Sequence, residues 1–192
     1  MDYHALAQLL FPHLTASPEE ILARYPARQL PEGARITRMA PSPTGFMHLG
    51  NLYGALVDER LAHQSGGVFY LRIEDTDKKR EVAGGVATIL DAFSAFGLPF
   101  DEGVSAQGET GIYGPYRQSL RAEIYQVFAK KLVLEGQAYP CFCTEDELAQ
   151  MRATQEQRKE NFGYYGKYAL WRDRPLADIQ AALAKGTPYV VR

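Results

Sequence analysis

Residues 38–51 read RMAPSPTGFMHLGN, two prolines and a Pro-Thr-Gly turn that run into a helix start at His48. Pro41 and Pro43 each lack an N–H and push the preceding residue towards extended conformations, so no helix can begin before them. Gly45 lets the backbone turn and pass close to a ligand. The helix start then falls at His48 to Asn51, where unpaired backbone N–H groups and the helix dipole attract anions. His48 and Asn51 can add side-chain donors there. Upstream, Ile36 to Ala40 reads as a short strand. Downstream, Leu49, Leu52, Tyr53, Leu56, Val57 and Leu61 recur at helical offsets and predict an amphipathic helix that stops at Gly66-Gly67. Val68 to Ile73 is a nearly unbroken β-rich run, the pattern of a parallel strand covered on both faces. Strand, helix and strand within about 40 residues make a βαβ unit and an α/β fold. In an open parallel sheet, ligands sit at the carboxyl ends of the strands.

The rest of the chain extends this unit. Residues 2–11 predict a short helix, and Ser17-Pro18-Glu19-Glu20 is a capping box opening a second one that ends before Pro26. Residues 1–34 thus form a helical preface without catalytic content. Helices are expected over Glu81–Phe96, with Val86, Ile89, Leu90 and Phe93 on one face, and over Tyr116–Glu135, with Ile124, Val127, Phe128 and Leu132. Gly97 and Gly136 end them. After Tyr139 the texture changes to a cysteine pair, a capping box at Thr144–Glu147, a charged stretch, and the aromatic run FGYYGKYALW. A helix over Leu176–Lys185 and a strand beginning at Tyr189 follow. The divisions expected are therefore 1–34, 35–138 and 139–192.

Composition limits the function classes. The chain has 192 residues, 46% hydrophobic and 23% charged, enough for one full domain or slightly more. Its net charge of −2 provides no global basic field, so a nucleic-acid partner would need a local patch. No stretch approaches the roughly 20 apolar residues of a membrane span, so a cytosolic protein that does not enter membranes is expected. Cys141 and Cys143, one residue apart, suit a shared metal or two free thiols better than a stabilising disulfide. Gly45 and Gly50 have the gap of a Walker A loop, but Asn51-Leu52 stands where Lys and Ser/Thr are required. No G-x-G-x-x-G follows the first strand, so a different nucleotide site remains.

Together with LRIEDTD at 71–77 and DEG at 101–103, the opening stretch resembles the N-terminal half of bacterial glutamyl-tRNA synthetases, a family of class I aminoacyl-tRNA synthetases. His48-Leu49-Gly50-Asn51 matches that class's HIGH signature, with Asn51 in place of the second histidine and still a donor. The resemblance runs from Arg35 to Arg192. It implies a Rossmann-like parallel sheet with helices on both faces, of which 35–138 is the first half. Residues 139–192 would begin an inserted α/β region that handles the tRNA acceptor end.

The function implied is glutamate–tRNA ligation: ATP-dependent activation of L-glutamate to glutamyl-adenylate, then transfer to tRNA(Glu). Arg38, Ala40 and Ser42 are implied to contact glutamate, Arg38 gripping its side-chain carboxylate with a charge-assisted fork. Glu74 is implied to receive the α-ammonium. Thr44, Gly45, His48, Gly50 and Asn51 are implied to bind ATP, with His48 and Asn51 stabilising charge on the phosphoryl oxygens; magnesium arrives with ATP. RIEDTD differs from the RFDDTN-like pattern of glutaminyl relatives.

The Cys141/Cys143 pair resembles half of a zinc site found in some members. Tyr168 and Leu170 stand where the other ligands would be, so no zinc is expected. Lys78, Lys79 and Arg80 are candidates for phosphate contact. No KMSKS-like segment occurs, so this chain alone is expected to be inactive in charging, and the full-length protein is expected to be monomeric. The rivals are a glutamyl-Q tRNA(Asp) synthetase-like paralogue, a non-catalytic synthetase-like binding module, and another nucleotidylyl-transfer enzyme. The helical preface and RIEDTD favour the full ligase over the paralogue.

Overall fold

The computed structural model describes residues 1–192. In chain order it contains α1 (Tyr3–Leu10), α2 (Pro18–Ala23), β1 (Ile36–Met39), α3 (Leu49–Gln64), β2 (Val68–Leu71), α4 (Gly85–Ala95), β3 (Glu102–Ser105), β4 (Gly108–Thr110), α5 (Ala122–Leu134), β5 (Pro140–Cys141), α6 (Glu145–Gln157), α7 (Leu176–Ala184) and β6 (Val190–Val191). The chain divides into two compact units, one of residues 19–124 and one of residues 1–18 with 125–192.

In the unit of residues 19–124, β1, β2 and β3 pair in parallel and β4 returns antiparallel on β3, giving the order β1-β2-β3-β4. Successive residues of a strand face opposite ways, so Phe69, Leu71 and Ile73 are buried together while Tyr70, Arg72 and Glu74 take the other face. Phe69 and Leu71 share one apolar cluster with Leu52, Ala55 and Ala62 of α3 and Ile89 and Phe93 of α4. The end of α3 is pinned by His63, whose Nδ1 lies 2.7 Å from Glu59 and Nε2 3.0 Å from Asp101. Asp101 also accepts the Phe69 N–H at 2.8 Å, tying the helix end to β2.

Several local expectations change. Helix α3 exists, but Leu49, Tyr53, Leu56, Val57 and Leu61 are exposed; the buried stripe is Leu52, Ala55, Glu59 and Ala62. Apolar residues occur all round this helix, so periodicity selects no face. Leu52, Ala55 and Ala62 of that stripe share the cluster with Phe69 and Leu71 of β2. Helix α4 starts at Gly85, because Gly84 takes a left-handed φ of 75°. A 3₁₀ turn at Gln118–Arg121 precedes α5, and Tyr116 is buried outside any helix. In α5, Leu132 is exposed and Val133 buried. The hairpin β3–β4 was not expected, because EGVSAQGET lacks a strand-like apolar run. Gly103 permits the pairing: it has φ 127°, and a Cβ there would stand 2.3 Å from the Leu71 carbonyl oxygen.

The other unit gathers Leu6, Ala7 and Leu10 of α1 around Val133, Phe142 and Ile179. Lys130 Nζ donates to the Leu14 carbonyl at 2.8 Å, and Tyr189 OH to the Leu10 carbonyl at 3.2 Å. β5 and β6 pair antiparallel, with Cys141 opposite Val190. Helix α6 begins at the expected capping box, where the Glu147 N–H donates to Thr144 Oγ1 at 3.2 Å and the Thr144 N–H to Glu147 Oε2 at 2.7 Å. No helix is long and apolar enough to cross a membrane.

Candidate functional site

The loop at residues 40–48 lies at the carboxyl end of β1 and is stitched to its neighbours through the prolines' carbonyls. Pro41 and Pro43 are buried while Ser42 between them is exposed. The Arg72 N–H donates to Met39 O at 3.0 Å, Glu74 N–H to Pro41 O at 3.0 Å, and Val82 N–H to Pro43 O at 2.9 Å. A proline has no N–H to leave unsatisfied, but its carbonyl still accepts, so the loop can be held by donors from the segment that follows β2. The start of α4 presses on the same loop: a Cβ on Gly85 would stand 2.9 Å from Pro43 O.

At the other end of the loop, His48 is the extended N-cap of α3, with φ −110° and ψ 164°. Asn51 Oδ1 accepts the His48 N–H at 3.2 Å. That bond fixes which end of the amide points inward and leaves the Asn51 NH₂ as the donor for a ligand. A Cβ on Gly50 would come within 3.1 Å of the His48 ring, so this glycine makes room for the imidazole over the helix start. His48 and Gly50 are exposed, and α3 contributes 16 residues of aligned peptide dipoles behind them. The geometry can offer an anion backbone N–H groups, an imidazole and an amide.

At the strand ends, Arg38 Nη1 stands 3.5 Å from Glu74 Oε1. Arg38 lies opposite Tyr70 in the β1–β2 register and is exposed. Ala40 and Thr44 are half-buried, and Gly45 is exposed with open space where a Cβ would be. The structure thus brings Arg38 together with Glu74, and His48 with Gly50 and Asn51, at opposite ends of one loop.

Two residues of RIEDTD escaped the sequence reading. Arg72 Nη2 donates to Glu74 Oε1 at 3.4 Å. Asp75, 4% exposed, accepts the Ser119 N–H at 2.9 Å and the Ser119 hydroxyl at 2.7 Å. Strand alternation was the available signal, because it separates Glu74 from Asp75. Two of the basic triplet's side chains are paired locally: Lys78 with Glu81 at 2.8 Å and Arg80 with Asp77 at 2.6 Å.

Cys141 is buried and Cys143 half-buried, with Cys143 Sγ 3.4 Å from Tyr164 OH. Burial pushes the Tyr164 phenol up, and both cysteines add to it. No group of three or more His, Cys, Asp or Glu side chains stands together to hold a metal ion.

The sequence profile described as "tRNA synthetases class I (E and Q), catalytic domain" matches residues 35–192. A glutamate–tRNA ligase of Acetivibrio thermocellus is 57% identical over all of this chain, and one of Clostridium perfringens 48% identical. The chain spans about a third of these curated relatives, 35% of each. A crystal structure of a glutamate tRNA ligase from Elizabethkingia meningosepticum, in complex with its amino acid, is 39% identical with a TM-score of 0.72, covering 84% of this chain and 32% of that one. With an α/β sheet, a HIGH-type helix start and a profile match over most of its length, the chain belongs to the class I tRNA synthetases of the glutamate and glutamine kind and carries part of their catalytic domain.

Proposed function

We propose that this chain is the part of a glutamate–tRNA ligase that binds glutamate and ATP for the first half-reaction. An ionised carboxylate oxygen of L-glutamate attacks the α-phosphorus of ATP; the new O–P bond forms as the bond to pyrophosphate breaks, and no proton has to move. Such a displacement needs positioning and stabilisation of phosphoryl charge rather than a base. His48, the Asn51 NH₂ and the first N–H groups of α3 supply that stabilisation, and Thr44, Gly45 and Gly50 shape the nucleotide's seat. Magnesium enters on the phosphates of ATP. Arg38 takes the γ-carboxylate, Ala40 and Ser42 line the amino acid, and Glu74 takes the α-ammonium. In this reading residues 1–34 are an extension, 35–138 the first half of the catalytic domain, and 139–192 the beginning of the region that meets the acceptor end of tRNA(Glu).

The observation that carries the reading is the meeting of Arg38 and Glu74, one cation and one anion, at neighbouring strand ends beside the loop that leads to His48. A zwitterionic amino acid with an acidic side chain has a complement for each end there. The glutamyl-Q-like paralogue is not favoured, since relatives named glutamate–tRNA ligase match the whole chain, preface included. Calorimetric titration with a non-hydrolysable glutamyl-adenylate analogue tests the proposal. Wild type binds and Arg38→Ala weakens binding by roughly tenfold or more, as expected for a lost charge-assisted fork. Equal weak binding by both proteins would reduce the chain to a non-catalytic module.

A further inference from the structure

Three charged side chains share the strand ends on this face, two cations against one anion. Glu74 Oε1 stands 3.5 Å from Arg38 Nη1 and 3.4 Å from Arg72 Nη2. Both contacts are loose. Elsewhere in the same unit, Arg28 and Glu102 close fork to fork at 2.5 and 2.6 Å, and Arg24 and Glu123 at 2.9 and 3.2 Å. A carboxylate free to choose takes that bidentate geometry with one guanidinium. Glu74, drawn towards two, completes it with neither.

Arg72 is the more enclosed of the two cations. Its side chain is 18% exposed against 37% for Arg38. The backbone around it is held on both sides, by Met39 and Pro41 carbonyls on one edge and by the Ile73 N–H to Tyr116 O and Gln118 N–H to Ile73 O bonds on the other. Its Nε is buried without a hydrogen-bond partner, a costly arrangement that the surrounding structure nevertheless maintains. Away from Glu74, Arg72 lines a cavity of about 250 Å³ with Arg28, Tyr70, Tyr116 and Arg121, and its ion pair is with Glu74.

We propose that Arg72 is a positioning residue for the amino-acid pocket: it holds the Glu74 carboxylate short of a closed pair with Arg38, leaving both Glu74 and Arg38 open to substrate. The inference rests on the reading of Arg38 and Glu74 as the glutamate contacts. When glutamate binds, its α-ammonium takes the place of Arg38 at Glu74, its γ-carboxylate takes Arg38, and Arg72 stays with Glu74. The three side chains sum to one positive charge, which glutamate with its net negative charge neutralises and glutamine does not. Without Arg72 the sum is zero, and Glu74 closes onto Arg38.

The test compares wild type, Arg72→Met and Arg72→Lys in the 192-residue chain. Each is titrated with L-glutamate, ATP, and the non-hydrolysable glutamyl- and glutaminyl-adenylate analogues, and a crystal structure of ligand-free Arg72→Met is determined. Arg72→Met is expected to weaken the glutamyl analogue by roughly tenfold or more and to shrink the preference over the glutaminyl analogue, with ATP binding unchanged. Arg72→Lys, which keeps the charge, recovers part of that preference. The crystal structure should show Glu74 moved into a two-bond contact with Arg38.

An Arg72→Met protein with wild-type affinity and preference would overturn the proposal. If wild type binds neither amino-acid analogue, the reading of the pocket fails on its own. The crystal structure still decides the positioning role, because Glu74 keeping its place without Arg72 would refute it. Should Arg72→Met not fold, an Arg72→Lys protein with unaltered preference would likewise count against it, since a lysine has no Nη2 donor to set against the Glu74 carboxylate as Arg72 does.

Discussion

Adjacent acidic residues in RIEDTD do opposite work, and strand alternation is the reason. Glu74 faces the open side beside Arg38, whereas Asp75 turns inward and fastens the strand end to the 3₁₀ turn through both donors of Ser119. Burial pushes the Asp75 pKa up, but the Ser119 hydroxyl and amide, with Lys78 at 3.8 Å, outweigh it and hold the carboxyl below its ordinary range. A carboxylate with a folded pKa below its unfolded value stabilises the fold above the unfolded pKa, near 3.9, and loses that contribution as pH falls through the folded value. Asp75→Asn, which sets an amide NH₂ against a donor it cannot accept from, should lower stability at pH 7 by about 1–3 kcal/mol in urea unfolding. It should also flatten the acid limb below about pH 4. A variant with the same urea midpoint as wild type at pH 7 would show that Ser119 is no anchor.

Helix α3 shows what periodicity can and cannot deliver. Its existence and both ends were legible: Pro41 and Pro43 forbid an earlier start, and Gly66-Gly67 stops it. The buried face was not, since leucine, tyrosine and valine occupy the outer surface while Ala55 and Ala62 are buried in one cluster with Phe69 and Leu71 of β2. Alanine adds little to an apolar pattern but decides how closely a helix can sit on a sheet. The β3–β4 hairpin was illegible for a related reason: Gly103 is there for backbone approach, which no side-chain pattern advertises. The Arg38–Glu74 meeting was reachable only through the family resemblance, because nothing local in either motif names the other. Ala55→Leu should therefore destabilise by about 1–3 kcal/mol through overpacking. Tyr53→Ser, on the exposed face, should stay within about 0.5 kcal/mol of wild type. Thermal unfolding of the two variants checks the assignment, and the reverse order would mean that the outer stripe is the packed one.

Over the whole molecule, charge separates what this chain can bind alone from what it cannot. The net charge is −2, and many of its cations are already answered by nearby carboxylates: Lys78 by Glu81, Arg80 by Asp77, Lys167 by Glu160 and Arg174 by Asp178. Affinity for a nucleic acid grows with the number of phosphates neutralised and falls with salt in proportion to that number. On the function proposed, a small amino acid needs only the local complement at Arg38 and Glu74, and a nucleotide only the donors at the start of α3. The 192-residue chain should accordingly keep its affinity for the glutamyl-adenylate analogue while binding tRNA weakly. We expect a Kd no tighter than about 10⁻⁶ M and a shallow decline between about 50 and 200 mM salt. Filter binding at those concentrations measures both quantities. Submicromolar binding with a steep salt dependence would instead reveal a phosphate-tracking surface within these residues, and the local ion pairs would then have to open when tRNA arrives.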